Sequence, residues 1–231
     1  MSGGPGLRAL VVAKAPVPGL AKTRLAAVVG DVAAADLAAA ALLDTLAACE
    51  AGVGSDRLHV ALTGELADAA RSTELRRTLA AYDVFEQCAG GFDRRLAHAH
   101  GEVARRAPGD AVVQVGMDTP QLTAHLLTGL GEALAVHDAV LAPADDGGWW
   151  ALGLRDPRAA EALVGVPMST GETGAMTRAA LERAGLSVAG APALRDVDEV
   201  DDAAAVAAGH PHTRFARAWA ATSPAGRRAE A

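Results

Sequence analysis

The sequence predicts one α/β domain in three layers, a mostly parallel sheet with helices on both faces. Short β-branched runs alternate with Ala- and Leu-rich stretches, the pattern of strand–helix–strand units. The chain of 231 residues can bury a full core, and no Ser/Gly linker or charge block divides it. Three Gly/Pro/Asp-rich breaks directly follow apolar runs, where ligand loops gather at strand carboxyl ends. We expect the domain at residues 7–222, with 1–6 and 223–231 as flexible termini.

Leu7 to Ala13 (LRALVVA) is the first buried strand. A loop from Lys14 to Leu25 follows, and Asp31, a fitting N-cap, opens a long helix to about Ala51 that Gly52 closes. Arg57 to Thr63 is a second strand. Ala67 to Ala81 is helical, and Tyr82 to Gln87 alternates as a third strand. Gly90 and Gly91 turn into a helix that runs through Arg106. Ala111 to Gly116 (AVVQVG) has the composition of a central strand and stops at Met117-Asp118-Thr119-Pro120. Pro120 or Thr123 starts the next helix, up to His137, and Asp138 to Pro143 is another strand. Trp149 to Leu154 is a short strand, a helix runs from Ser169-Thr170-Gly171-Glu172-Thr173 to about Ala184, and a strand lies near Leu186 to Ala189. The tail from Pro211 ends in a helix and a frayed terminus. This order brings together the loops Lys14 to Arg24, Gly116 to Pro120 and Ala144 to Trp150.

A net charge of −7 with scattered arginines argues against a nucleic-acid partner. The N-terminus lacks a signal-peptide pattern, and no apolar run approaches the roughly 18–20 residues that span a bilayer. We therefore expect a cytoplasmic protein without a membrane partner. Cys49 and Cys88 are too few and too far apart for a disulfide scaffold or a four-ligand zinc site, and read as packing residues. The histidines show no metal-ligand spacing, and His98 and His100 cannot share one helix face.

The only two lysines, Lys14 and Lys22, sit in one loop with Pro16, Pro18, Gly19 and Arg24. Gly19, Lys22 and Thr23 fail the Walker A pattern: no glycine precedes Lys22 and the upstream glycine is missing. A G-x-G-x-x-G fingerprint is also absent. What remains is three cations within eleven residues after a strand, suited to a di- or triphosphate. Asp118, at the end of an apolar strand, either bridges a hard divalent cation to phosphate oxygens or forms an Asx turn or helix cap. In Asp145-Asp146-Gly147-Gly148-Trp149-Trp150, two glycines permit close backbone approach to a ligand and two tryptophans offer stacking surface; a tight turn with core aromatics is the other reading. Asp196 to Asp202 holds five acids in seven residues. Asp201 and Asp202 suit a helix N-terminus, and Asp198 is the better cation ligand.

With these residues laid out, the chain resembles the bacterial DUF2064 group of glycosyltransferase-A-like proteins, also described as arsenosugar-biosynthesis glycosyltransferases, in the nucleotide-diphospho-sugar transferase superfamily. The resemblance covers roughly residues 7–208. It rests on Lys14-Ala-Pro-Val-Pro-Gly-Leu-Ala-Lys-Thr-Arg-Leu25, Gly116-Met-Asp-Thr-Pro120, Asp146-Gly-Gly-Trp-Trp150 and Asp196-Val-Asp198. The Lys-Thr-Arg-Leu end is also similar to the loop of phospholactate guanylyltransferases, a sister group. The resemblance implies a Rossmann-like sheet of the glycosyltransferase-A type. It also implies a metal-dependent transferase that takes a nucleotide or nucleotide sugar and a small-molecule acceptor. Either glycosyl or nucleotidyl transfer fits, with a non-catalytic nucleotide-binding module as the third option and a homodimer as an open assembly state. By analogy, Lys14, Pro16, Gly19, Lys22 and Arg24 contact the nucleotide, and Asp118 and Asp198 hold Mg²⁺ or Mn²⁺. Gln87 and Gly91 lie near the base or its phosphates. Asp146, Gly147, Gly148 and Trp149 line the acceptor side, with Lys22, Asp118 and Asp146 as the catalytic set. The chain departs from the superfamily in two places: Gly-Met-Asp carries one Asp where an Asp-x-Asp is common, and there is no Gly-x-Gly-Thr-Arg loop.

Overall fold

The computed structural model describes residues 6–222. Most of the expected flexible termini, 1–5 and 223–231, lies outside the described residues. Gly6 is pinned instead: its N–H donates to Asp110 Oδ1 at 2.9 Å and its carbonyl accepts from Ala111.

The elements run β1 (Leu7–Lys14), α1 (Thr23–Val29), α2 (Asp31–Val53), β2 (Leu58–Thr63), α3 (Ser72–Leu79), β3 (Asp83–Glu86), α4 (Phe92–Arg106) and β4 (Ala111–Val115). They continue with α5 (Ala124–Leu134), β5 (Ala139–Pro143), β6 (Trp149–Leu154), α6 (Thr173–Arg183), β7 (Val188–Gly190), α7 (Val200–Gly209) and α8 (Arg214–Thr222). One seven-stranded sheet has the order β3-β2-β1-β4-β6-β5-β7. It is parallel except for β6, which pairs antiparallel with both neighbours. The exception follows from chain length. Only residues 144–148 join β5 to β6, too few for the crossover that a parallel pair needs and enough for a hairpin.

Alternation along the strands divides the core. Ala9, Val11 and Ala13 pack with α2 and α5 on one face, while Leu10 and Val12 pack with α4 on the other. A further apolar cluster joins the outer side of α2 to α1, α7 and α8 through Leu25, Leu37, Ala40, Val197, Val206 and Phe215. The three-layer sandwich therefore carries an extra helical cover over α2, and that helix is apolar all round because both of its faces are buried. Its 23 residues have the length and hydropathy to cross a membrane, contrary to the expectation that no run approaches that size. With 72% of its most apolar window buried in the fold, it is a core helix.

Other boundaries differ as well. Gly30, at φ 89°, separates α1 from α2 and stands at the N-cap in place of Asp31. Gly52 does not end α2. A β-carbon there would lie 2.8 Å from Leu127 Cδ2, so this glycine lets α5 approach, and the stop falls at Gly54 with φ 87°. The helix expected from Ala67 begins only at Ser72, after Arg71 in the left-handed region. Residues 157–163 form an unanticipated 3₁₀ segment under α4.

Candidate active site

The β1–α1 loop is tied down by its own backbone. Ala15 N–H donates to the Thr63 carbonyl, the Pro16 carbonyl accepts from Ala70, and Leu20 and Ala21 both donate to the Val17 carbonyl. Pro16 is thus a buried anchor between β2 and the approach to α3. Gly19 makes the turn at φ 77°. Lys22 then adopts left-handed backbone, φ 51° and ψ 49°, as the residue that leads into α1. For a side chain with a β-carbon this conformation is strained by about 1 kcal/mol, and it turns the lysine inward.

Lys22 Nζ lies 2.7 Å from Asp118 Oδ1 and 2.9 Å from Asp198 Oδ1, with only 9% of its side chain exposed. Burial alone would lower the ammonium's pKa. The Asp118 and Asp198 charges overcome that effect and hold it above the ordinary lysine value. Reciprocally, burial would raise the Asp198 carboxyl, yet Lys22 and Arg24 bring it below the usual carboxylate range. The two aspartates come from distant loops that backbone bonds join: Val197 N–H donates to the Asp118 carbonyl at 3.1 Å. Gln121 Nε2 donates to the Arg195 carbonyl at 2.6 Å. A capping box between Glu199 and Asp202 holds the start of α7 just behind Asp198.

Around this pair lies a cleft of about 280 Å³, lined by Lys14, Leu20, Lys22, Thr23, Arg24 and Met117 among others. Lys14 closes one edge. Its backbone N–H donates to Met117 Sδ at 3.3 Å and its Nζ to the Leu20 carbonyl at 2.9 Å. The three cations expected to act together do share one cavity, with Asp118 and Asp198.

Asp196 joins the cluster, although nothing in its local sequence sets it apart from its acidic neighbours. Its Oδ1 is buried with no hydrogen-bond partner. Burial, then the Asp118 and Asp146 charges, push this carboxyl up to about 7 against the pull of Lys22. Asp146 is therefore within electrostatic reach of Asp196, although it does not line the cleft. Its Oδ1 accepts from Gly148 N–H at 2.8 Å and shapes the turn, where Gly147 takes φ 87°.

The Gly147–Gly148 turn makes a close crossing that was not foreseen. A β-carbon on Gly147 would stand 2.0 Å from the Gly171 carbonyl oxygen, and one on Gly174 would stand 2.7 Å from the Gly148 carbonyl oxygen. Gly174 N–H donates to the Gly147 carbonyl at 2.9 Å. The glycines admit the start of α6, whose Thr173 hydroxyl donates to the Pro167 carbonyl at 3.0 Å.

The tryptophan pair does not form one wall, because neighbouring strand residues face opposite sides. Trp150 is 2% exposed and donates to the Pro192 carbonyl at 2.9 Å. Trp149 stays half-buried on the α4 face, with its indole N–H on Thr177 Oγ1. Gln87 is buried too: its amide donates to the Ala13 and Ala61 carbonyls at 2.8 Å, and its oxygen accepts from Arg95. Its polar atoms brace the ends of β1 and β2, while Gly91 leads into α4.

Among the described residues, no group of three or more His, Cys, Asp or Glu is arranged to hold a metal. The Asp118–Asp198 pair nonetheless fits a hard divalent cation. Its charged oxygens converge on one point beside an open cleft, and Mg²⁺ is commonly held by one or two carboxylates with substrate phosphates and water completing the shell.

The profile of DUF2064, described as an uncharacterized protein conserved in bacteria, matches residues 45–170, more than half of the chain. The chain belongs to the DUF2064 family. The DUF2064 match includes Asp118 and Asp146 to Trp150 and ends before Asp196. A crystal structure from Desulfovibrio desulfuricans G20, described as a candidate nucleotide-diphospho-sugar transferase, is similar at 28% identity and a TM-score of 0.79, covering 94% of this chain and 93% of that one. Rv0371c from Mycobacterium tuberculosis in complex with manganese is similar at 20% identity and a TM-score of 0.50, covering 87% of this chain and 97% of that one. A cytidylyltransferase from Leptospira borgpetersenii is similar at 14% identity and a TM-score of 0.51, covering 84% of this chain and 78% of that one. These last two show the shared fold. Comparison with curated proteins gives no match.

Proposed function

We propose that this DUF2064 protein is a metal-dependent transferase that uses an activated nucleotide, with a nucleoside-diphosphate sugar as donor. The observation that carries this reading is the convergence of Lys22, Asp118 and Asp198 in a cleft that also holds Lys14 and Arg24. Cations for phosphates beside carboxylates for a metal is the arrangement that phosphate-leaving-group chemistry needs. Similarity to the Desulfovibrio protein along nearly the whole of both chains supports the sugar-nucleotide assignment.

In this reading Lys14, Lys22 and Arg24 bind the donor's phosphates, and Pro16 and Gly19 hold the loop that presents them. Asp118 and Asp198 hold Mg²⁺ or Mn²⁺, which when bound neutralises charge developing on the departing diphosphate. The Asp146–Gly148 turn and Trp149 form the acceptor side, where the turn brings backbone close to the acceptor and Asp146 orients its nucleophilic hydroxyl.

Nucleotidyl transfer to a small phosphorylated or phosphonylated acceptor is the second reading, favoured by the single aspartate in Gly116-Met117-Asp118. The products separate the two. A glycosyl transferase releases a nucleoside diphosphate from sugar nucleotides with Mn²⁺, and a nucleotidyl transferase releases pyrophosphate from nucleoside triphosphates. Tight nucleotide binding without either product leaves a binding module.

A further inference from the structure

Lys22 Nζ touches one oxygen of each aspartate, at 2.7 and 2.9 Å. A divalent cation that takes both oxygens, at the roughly 2.0–2.1 Å that Mg²⁺ demands, competes with that ammonium for the same two acceptors. Lysine and metal are therefore alternatives there.

We infer that Lys22 is a resident counter-ion that excludes free divalent metal from the Asp118–Asp198 pair, and that the site takes its metal together with a diphosphate that draws the lysine away. The inference rests on the proposed nucleotide site and adds how its two charged ligands depend on each other.

The surroundings are built for the exchange. With Lys22 in place, Asp118 and Asp198 are compensated, and the nearby Asp196 carboxyl is partly offset. With Lys22 removed and nothing in its place, Asp118, Asp196 and Asp198 would repel one another uncompensated, which disfavours an empty pair. The pair is also held from behind. The Val197–Asp118 backbone bond and the cap on α7 keep the two loops together by contacts that do not pass through Lys22. The carboxylates can therefore hand over one cation for another without moving apart. The lysine has a destination in the same cleft, beside Lys14 and Arg24, where a diphosphate supplies the negative charge that it gives up. Binding that frees the metal position and binding that fills it then reinforce each other, and linkage makes the effect equal in both directions.

The probes are Mn²⁺ alone, UDP alone and both together, on wild type, Lys22→Met and the double variant Lys22→Met/Asp118→Asn, with titration calorimetry as the readout. Wild type is expected to bind Mn²⁺ alone weakly, and UDP to tighten Mn²⁺ binding by about tenfold or more, a coupling in the usual allosteric range. Lys22→Met is expected to bind Mn²⁺ alone at least about tenfold tighter than wild type, the factor that 1.4 kcal/mol of relieved competition represents. The double variant should lose that gain. Mn²⁺ affinity that is unchanged or weaker in Lys22→Met overturns the inference. If that variant does not fold, wild type decides alone: tight Mn²⁺ binding without UDP, or no Mn²⁺–UDP coupling, overturns it. A gain in Mn²⁺ affinity in Lys22→Met with no UDP binding by any form supports the exchange and counts against the nucleotide reading.

Discussion

Asp118 and Val197 are joined by one backbone hydrogen bond of 3.1 Å, and through it the carboxylates of Asp118 and Asp198 reach the same ammonium. Asp118→Asn keeps that backbone bond and removes only charge. The expected outcome is a loss of about 10²-fold or more in diphosphate release, with stability within about 1 kcal/mol of wild type because Asp198 still pairs with Lys22. Product assays and thermal melts measure the two effects, and undiminished turnover would remove Asp118 from the site.

The glycine crossing predicts a positioning effect. In Gly174→Ala the new methyl would stand 2.7 Å from one backbone carbonyl oxygen and 3.0 Å from another, so the start of α6 must lift off the Gly147–Gly148 turn. Overpacking of this kind costs about 1–3 kcal/mol. Acceptor KM should rise while nucleotide Kd stays at its wild-type value, a split that steady-state kinetics and calorimetry resolve.

Asp44 fastens the C-terminal cover. From within α2 it accepts from the backbone N–H groups of Arg214 and Phe215, at 3.1 and 2.8 Å, and from the Arg214 side chain. Asp44→Ala strips the start of α8 of these acceptors and should cost about 2–4 kcal/mol. Chemical denaturation gives the size, and faster tryptic cleavage at Arg214 and Arg217 would show α8 leaving. A variant that melts with wild type and resists trypsin equally would show that Phe215 packing alone holds the helix.

His100 carries a pH dependence. It is fully buried against Gln114, and burial lowers its pKa from 6.5 to about 4. Between those values the unfolded chain takes a proton that the folded chain refuses, so stability is intact above pH 6.5 and declines as pH falls toward 4. The loss amounts to about 3 kcal/mol at most. His100→Gln, which keeps a donor for Gln114, should show a shallower decline than wild type in urea titrations at pH 7 and pH 4.5. Equal slopes would refute this assignment.

Legibility in the sequence followed the range of each signal. β1, β4 and β5 stood out because they are buried on both sides and read as continuous apolar runs. The β1–α1 loop stood out because it holds the only lysines. Strand order and the antiparallel β6 arise from pairings between distant segments, which local pattern does not encode. α1 is only seven residues and follows a left-handed lysine, so nothing in its apolar spacing distinguishes it from loop. Gly52 looked like a stop because its real partner, Leu127, lies on another helix. Trp150 looked like a ligand surface because adjacency in sequence conceals the alternation of a strand. Asp196 and Asp198 look alike in sequence and differ in their surroundings, since Asp198 pairs with Lys22 while Asp196 Oδ1 is buried without a partner, a difference that emerges only in the folded site.

The extra cover on α2 has a consequence for how the protein is made. The helix that it shields is synthesised early, and the residues that shield its outer side, Val206 and Phe215 among them, come last. Lys22 likewise waits for Asp198, 176 positions later. On the ribosome, a long apolar helix must remain without its cover until nearly the whole chain has emerged, and closing so large a loop is slow. Truncated products therefore carry an exposed sticky surface and half a cleft, which makes them substrates for chaperones and proteases rather than partially active enzymes.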